Sequence, residues 1–468
     1  MGGLLEASVT DLCGRIARRE LSPVELMEAT LGRIEAVDGR LRAFVALRDG
    51  DALLGEAREA AERVARGEAR PLEGVPLGVK DVEDVAGLVT THGSRALRDA
   101  RAERDSIQVE RLRAAGAIVV GKTNTPEFGA GAITKNPLFG TTHNPWDLER
   151  TPGGSSGGAS AAIAGALVPI ATAGDGGGSV RLPASWTGCF GMKPSYGRIP
   201  RGPESHWILD DTAVWGPLTR SVEDAALHLD LTVGPHPLDP NSLPHPGVSY
   251  RESLDGLPEG LRIAFSPDLG YGVVQQDVAE VVADAAVTFE TLGHSVELLK
   301  EGPPELGRDW GMVGAFELLG RLEPHFAERE GDFGRAFLAG VKTAERMTPR
   351  RWAAAKQRRE ELNRWCAEVF ERYDLLLTPT VPYDPPPAKG PYPSEIDGRA
   401  LPYASVGTFT IPFNLSWHPA ATVRAGFSEA NLPVGLQIVA PRHRDDRVLQ
   451  AARAFERARP WADHWPAL

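Results

Sequence analysis

Cysteine is scarce. The 468 residues hold three, Cys13, Cys189 and Cys366, far apart along the chain. None forms a C-x-x-C pair, which argues against a zinc site or a redox dithiol. So low and odd a count fits a reducing cytoplasm. Long apolar runs are missing too. No window approaches 18 uninterrupted apolar residues, so the sequence offers no membrane-spanning helix. The start, MGGLLEASVTDLCGRIARREL, lacks the basic residues and apolar stretch of a secretory signal, and none is expected. Glu6 stands where an N-myristoylation pattern needs Ser or Thr. Positive charge is in deficit, 51 Lys and Arg against 63 Asp and Glu, for a net −12. That balance argues against nonspecific nucleic-acid binding and against anionic membrane surfaces.

What is present reads as a globular chain, 42% hydrophobic and long enough to bury a core without disulfides or metals. The first 70 residues read as helices. Ser22-Pro23-Val24-Glu25 is a capping box with proline at the first helical position. Leu26, Ala29, Leu31, Ile34 and Val37 follow it as an apolar stripe at helical spacing. Residues 51–67 form a second helix with a charged face. Short apolar runs then alternate with helical patterns. Val75–Val79 reads as a strand reaching Lys80, 105–115 as a helix, 117–120 as a strand, 158–166 as a close-packed helix and 168–173 as a strand. Further on come a helix at 221–233, a strand at 261–265, a helix at 277–292 and a charged helical region over 308–373. A strand at 375–377 precedes the Pro/Gly-rich loop 379–402; a strand at 434–439 and a helix at 445–457 end the chain. The pattern predicts one α/β domain over 1–468, a mixed, mostly parallel sheet flanked by helices on both faces. Residues 1–70 would be its helical N-terminal segment and 308–373 a helical insertion.

Two motif matches fail on context. GAIVVGKT at 116–123 fits the phosphate-binding loop, which needs a strand before its first glycine and a helix after its lysine. Here the strand candidate lies inside the motif and Asn124-Thr125-Pro126 follows it. GGSSG at 153–157 fits the nucleophile elbow of α/β-hydrolases, but turn-like NPWDLERTP stands where a strand is required. No histidine among the eleven is marked out as its partner.

One stretch has no such objection. GDGGGSVRLPAS at 174–185 packs glycines before Ser179. Successive backbone N–H groups in such a turn can converge on one anion. Beside a serine hydroxyl they would hold the oxygen of a carbonyl under attack. The same glycines would equally serve a structural tight turn. A second serine-glycine stretch, TPGGSSGG at 151–158, lies 24 residues earlier, and Lys80 ends an apolar strand.

Together these segments resemble the amidase signature family. The resemblance runs through GVPLGVKD (74–81), GKTNTPEFG (121–129), NPW (144–146), TPGGSSGGASAA (151–162) and GDGGGSVRLPASWTGCFGMKPSYGR (174–198). GPLTRSVEDAA (216–226) and NLPVGLQIVAP (431–441) extend it, so order and spacing agree over roughly residues 60–460. The resemblance implies a mixed sheet with helices on both faces and an amide hydrolase with a Ser–cis-Ser–Lys triad. Ser179 would be nucleophile, Ser155 the bridging serine after a cis Gly154–Ser155 bond, and Lys80 the base. The N–H groups of Gly176, Gly177, Gly178 and Ser179 would form the oxyanion hole. Ser156, Asp175 and Arg181 would order the surroundings. Lys80 would have to be neutral, hence desolvated. Adjacent Asp81 would have to point elsewhere, as alternation along a strand allows.

The substrate pocket is expected to draw on Phe128, Gly129, Ala130, Gly131, Trp186, Trp207 and Phe316. No metal or organic cofactor is expected. The expected partner is a small aryl, alkyl or amino-acid-derived amide, with no nucleic acid and no membrane; a homodimer is expected at the family level only. A rival reading is the glutamine-hydrolysing component of a tRNA-dependent amidotransferase. Gly174-Asp175-Gly176 replaces the Thr-Asp-Thr or Thr-Asp-Ile frequent among relatives, which bears on acyl specificity.

Overall fold

The computed structural model describes residues 2–202, 211–402 and 405–468. Its N-terminal helices start where local chemistry places them. The Ser22 hydroxyl accepts from the Val24 N–H at 3.2 Å, Glu25 accepts from the Ser22 N–H at 2.9 Å, and Pro23 opens the Pro23–Leu41 helix. A short strand, Phe44–Leu47, interrupts the helical reading of residues 1–70 before the Gly50–Ala65 helix. Its four residues are too few to show a period, and it pairs at the edge with Ile118–Thr123.

Among the described residues, eleven strands form one mixed sheet. From edge to edge they run Phe44–Leu47, Ile118–Thr123, Pro76–Lys80, Ile170–Asp175, Val214–Thr219, Phe190–Lys193, Ala420–Phe427, Pro433–Val439, Leu375–Pro379, Arg262–Phe265, Ser295–Leu298. Parallel pairing falls into two blocks. One joins Pro76–Lys80 to both Ile118–Thr123 and Ile170–Asp175; the other joins Arg262–Phe265 to both Leu375–Pro379 and Ser295–Leu298. The strands between pair antiparallel.

Side-chain alternation assigns the two faces. On one, the Val222–Thr232, Gln276–Thr291 and Asp445–Ala458 helices close over Trp215, Ile263, Leu377, Val423, Leu436 and Ile438. Leu77 and Val79 point the same way, against Val109 and Leu112 of the Ile107–Ala114 helix. On the other face the Gly157–Ala164 helix packs on Val120, Ala171, Ala173 and Leu218. All eight residues of that helix are buried, and small side chains are what let it approach. A Cβ on Gly158 would meet the backbone of Asn124 and lie 2.6 Å from the Ala43 carbonyl oxygen. This second face carries the candidate site. Helices Gly307–Arg329, Arg335–Lys342 and Pro349–Arg372 occupy most of the 308–373 stretch, and the first two reach the site through Leu318, Leu322 and Val341 packed with Phe128.

Candidate active site

Gly78 and Lys80 sit on the face opposite Leu77 and Val79. Lys80 is buried at the strand end, its backbone N–H donating to Thr172 Oγ1 at 3.0 Å. Its Nζ lies 2.7 Å from Ser155 Oγ, 2.9 Å from Ser156 Oγ and 3.3 Å from the Gly174 carbonyl oxygen. Both serines stand at the N-terminal end of the Gly157–Ala164 helix, after a cis Gly154–Ser155 peptide bond. Ser156 Oγ also donates to the Gly174 carbonyl at 3.3 Å, tying the helix start to the strand Ile170–Asp175. Burial lowers the Lys80 pKa from 10.5 to about 7, against the opposing pull of Asp175 and Glu83. Asp81 turns elsewhere. Its carboxylate accepts from the Thr91 hydroxyl and lies 3.8 Å from Lys122 Nζ.

Ser179 follows the strand Ile170–Asp175 by four residues and is half-buried. Its carbonyl accepts from the Ser156 N–H at 3.3 Å, which brings the two serine stretches together. Asp175 organises the turn between. It accepts from the Gly178 N–H at 2.7 Å and the Val180 N–H at 3.2 Å, and pairs with the Arg181 guanidinium at 2.9 and 3.0 Å. Burial alone would raise the Asp175 pKa; the Arg181 charge and hydrogen bonds, Lys193 and Asn414 outweigh it and hold the carboxyl well below its usual range. Arg181 is fully buried and also donates to Gln437 Oε1 at 2.7 Å and Asn414 Oδ1 at 2.6 Å.

The glycines of the turn have different jobs. Gly174 makes room for Trp215, whose Cε3 would lie 2.6 Å from a Cβ there. Gly178 has φ +128°, a conformation that favours glycine. Its N–H, expected in the oxyanion hole, is instead given to Asp175 because the carboxylate sits inside the turn. The N–H groups of Gly176, Gly177 and Ser179 have no acceptor among the described residues.

The expected pocket residues divide. Gly129 lies against Ser155, its place for a Cβ 3.3 Å from Ser155 Oγ and its φ +70°. Phe128 is buried beside it, stacked on Phe333 and Phe337 at centroid distances of 6.1 and 5.2 Å. Ala130 and Gly131, which follow, are exposed; Gly131 approaches the Tyr392 hydroxyl, which accepts from the Ala132 N–H at 2.8 Å. Trp186 is core rather than pocket. It is fully buried with Leu182, Val381 and Tyr383, and its Nε1 donates to the Tyr383 carbonyl at 2.8 Å. Phe316 is 44% exposed on the Gly307–Arg329 helix; Trp310 of the same helix instead touches the glycine turn. Trp207 lies outside the described residues.

Several residues at the site carried no sequence signal. Thr172, Thr410, Asn414 and Trp310 touch Lys80 or the turn from distant parts of the chain, and none stands in a chemically suggestive local pattern. Gln437 lies within NLPVGLQIVAP but shows its role only through strand alternation. Leu436 and Ile438 enter the helical core, so Gln437 faces Arg181. The rejected GAIVVGKT match is a strand over Ile118–Thr123, and its Lys122 is buried against the Glu83 carbonyl and Thr90. Cys189 is buried and its pKa is raised by burial to about 11, which disfavours the thiolate.

A family model described as Amidase matches residues 25–449. The chain is 38% identical over 475 residues to an acylamidase of Rhodococcus erythropolis, covering 98% of this chain and 97% of that one. It is 33% identical over 490 residues to a component of the glutamyl-tRNA(Gln) amidotransferase of Geotalea daltonii, covering 99% and 100%. Among solved structures it superposes on a bacterial aryl acylamidase of the amidase signature family with a TM-score of 0.91 and 32% identity, over 98% of this chain and 97% of that one.

Proposed function

This chain belongs to the amidase signature family and is an amide hydrolase, and from that premise we propose that it cleaves small aryl, alkyl or amino-acid-derived amides through an acyl-enzyme on Ser179. The observation that carries the reading is a buried amine with a pKa of about 7, held 2.7 Å from a serine hydroxyl. A lysine left at 10.5 would need about 5 kcal/mol to lose its proton at pH 7; burial removes nearly all of that cost.

The steps follow from the chemistry of the groups. Ser179 Oγ attacks the amide carbon as its proton passes to Ser155 and the Ser155 proton passes to neutral Lys80. Negative charge gathers on the former carbonyl oxygen, where the N–H groups of Gly176, Gly177 and Ser179 receive it. The proton then returns from Lys80 through Ser155 to the leaving nitrogen, the C–N bond breaks, and ammonia or an amine departs. Water adds to the Ser179 ester along the same relay and releases the carboxylic acid. Asp175 and Arg181 hold the turn in shape, and Ser156 steadies Lys80. The reaction as written needs no metal or organic cofactor.

The relatives named acylamidase and aryl acylamidase support an N-acyl arylamine as substrate, and the Phe128–Phe333–Phe337 stack beside Gly129 supplies an aromatic wall. We place the protein in the cytoplasm, on its three free cysteines, and carry over a homodimer from the family. Likeness over nearly the whole chain to an amidotransferase component favours a second reading, a glutaminase that passes ammonia to partner proteins. A hydrolysis panel of anilides, primary aliphatic amides, amino-acid amides and glutamine decides, with Ser179→Ala as the control. Anilide turnover abolished in the variant supports the first reading. Turnover of glutamine alone, with stable partner proteins on purification, supports the second.

A further inference from the structure

We infer that Trp310 is a positioning residue for this reaction: its indole N–H sets the Gly176–Gly177 peptide so that the Gly177 N–H is presented to the developing oxyanion. The inference rests on the reading of Ser179 as nucleophile. Trp310 enters from the first turn of the Gly307–Arg329 helix, and its Nε1 donates to the Gly176 carbonyl oxygen at 2.9 Å. In a trans peptide the carbonyl and the following N–H point in opposite directions. The Gly176–Gly177 bond is trans. Holding its carbonyl on the indole therefore sends the Gly177 N–H away from the helix, where it has no acceptor among the described residues.

The next peptide shows the same device with another outcome. The Gly177 carbonyl accepts from Thr410 Oγ1 at 2.7 Å, which sends the Gly178 N–H to the other side, onto Asp175. Two elements far away in sequence thus fix two successive peptides. Without the indole donor, rotation of the Gly176–Gly177 peptide would turn a carbonyl oxygen toward the site in place of an N–H, which repels the charge it should stabilise.

The indole also explains the glycine at 177. Gly177 does not have a positive φ, so backbone conformation does not demand glycine there. A Cβ would lie 2.9 Å from Trp310 Cε2 and 3.0 Å from Cη2, so the ring itself occupies that space.

The test uses the full-length protein and the anilide it turns over best. Trp310→Phe keeps the ring and removes the donor. It should lower kcat roughly tenfold with KM within about twofold, short of the 10²–10³ lost when an oxyanion donor is deleted outright. Affinity for an arylboronic acid, whose tetrahedral adduct on Ser179 mimics the intermediate, should fall in step, while affinity for the planar carboxylate product should hold. Unchanged kcat, or a fall in kcat with boronate affinity unmoved, overturns the assignment. If Trp310→Phe does not fold, a double-mutant cycle decides. Gly177→Ala should cost kcat at least threefold more in the wild-type background than in Trp310→Ala, where the methyl has room. Additive effects overturn the assignment. A wild-type protein that resists fluorophosphonate labelling at Ser179 refutes the nucleophile itself; one that labels while Trp310→Phe turns over normally refutes only the role of Trp310.

Discussion

The proposed base makes a demanding prediction about pH. With the Lys80 pKa at about 7, half of the enzyme already holds a neutral amine at pH 7. Raising the pH to 9 should therefore increase kcat/KM only about twofold. A lysine left at 10.5 would gain about 100-fold over the same interval, one decade per unit, because its neutral fraction would still be climbing. Lowering the pH from 7 to 5 should cost about 50-fold, because the neutral fraction falls from one half to about one hundredth. The assay is kcat/KM for a chromogenic anilide from pH 5 to 9.5 at constant ionic strength. Lys193 needs a control, because burial brings its pKa to about 7 as well while its Nζ donates to the Pro194 carbonyl. His92, His228 and His418, with pKa values lowered by burial to about 3, do not titrate in this window. Lys193→Met should keep the limb near pH 7, and Lys80→Ala should remove nearly all activity. A rise of about 100-fold between pH 7 and 9, or a limb that vanishes with Lys193 and survives without Lys80, refutes the reasoning.

Three further outcomes follow from packing and charge. Gly158→Ala, with its methyl driven into the Asn124 and Ala43 backbone, should destabilise by about 3 kcal/mol or fail to fold, the upper end of the overpacking range. Gly320→Ala, on an exposed helical site with open space around it, should stabilise by up to about 1 kcal/mol; denaturant midpoints measure both. Asp175→Asn leaves the Arg181 guanidinium buried without its counter-charge and should cost about 3–5 kcal/mol by the same measurement, together with a large fall in kcat. An Asn variant of wild-type stability would show that the pair does not hold the turn.

The helices, the sheet's two-faced covering and the site's main segments were legible where a residue's local chemistry is decisive. Ser22 with Glu25 marks a helix start, small residues from Gly157 to Ala164 mark close packing, and Lys80 ends an apolar run. Strands Phe190–Lys193, Val214–Thr219 and most of Ala420–Phe427 left no period-two signal. Almost all their residues are buried on both faces, so apolar and polar positions do not alternate. The glycine turn suggests an anion nest without saying which of its N–H groups have acceptors within the protein. That depends on Asp175 taking the Gly178 N–H and on Thr410 and Trp310 taking carbonyls from far along the chain. Aromatic residues misled for a related reason. Trp186 and Phe316 are chemically suitable for a pocket, but one is committed to the core and the other to solvent.

The most direct test of the account is the covalent intermediate. A slowly deacylating activated ester or a fluorophosphonate is added to the wild-type protein, followed by digestion and peptide mass analysis. The account predicts a single adduct on Ser179, formed far more slowly when Lys80 is replaced by Ala and not formed in Ser179→Ala. An adduct on another residue, or labelling at Ser179 that proceeds at the wild-type rate without Lys80, would contradict it.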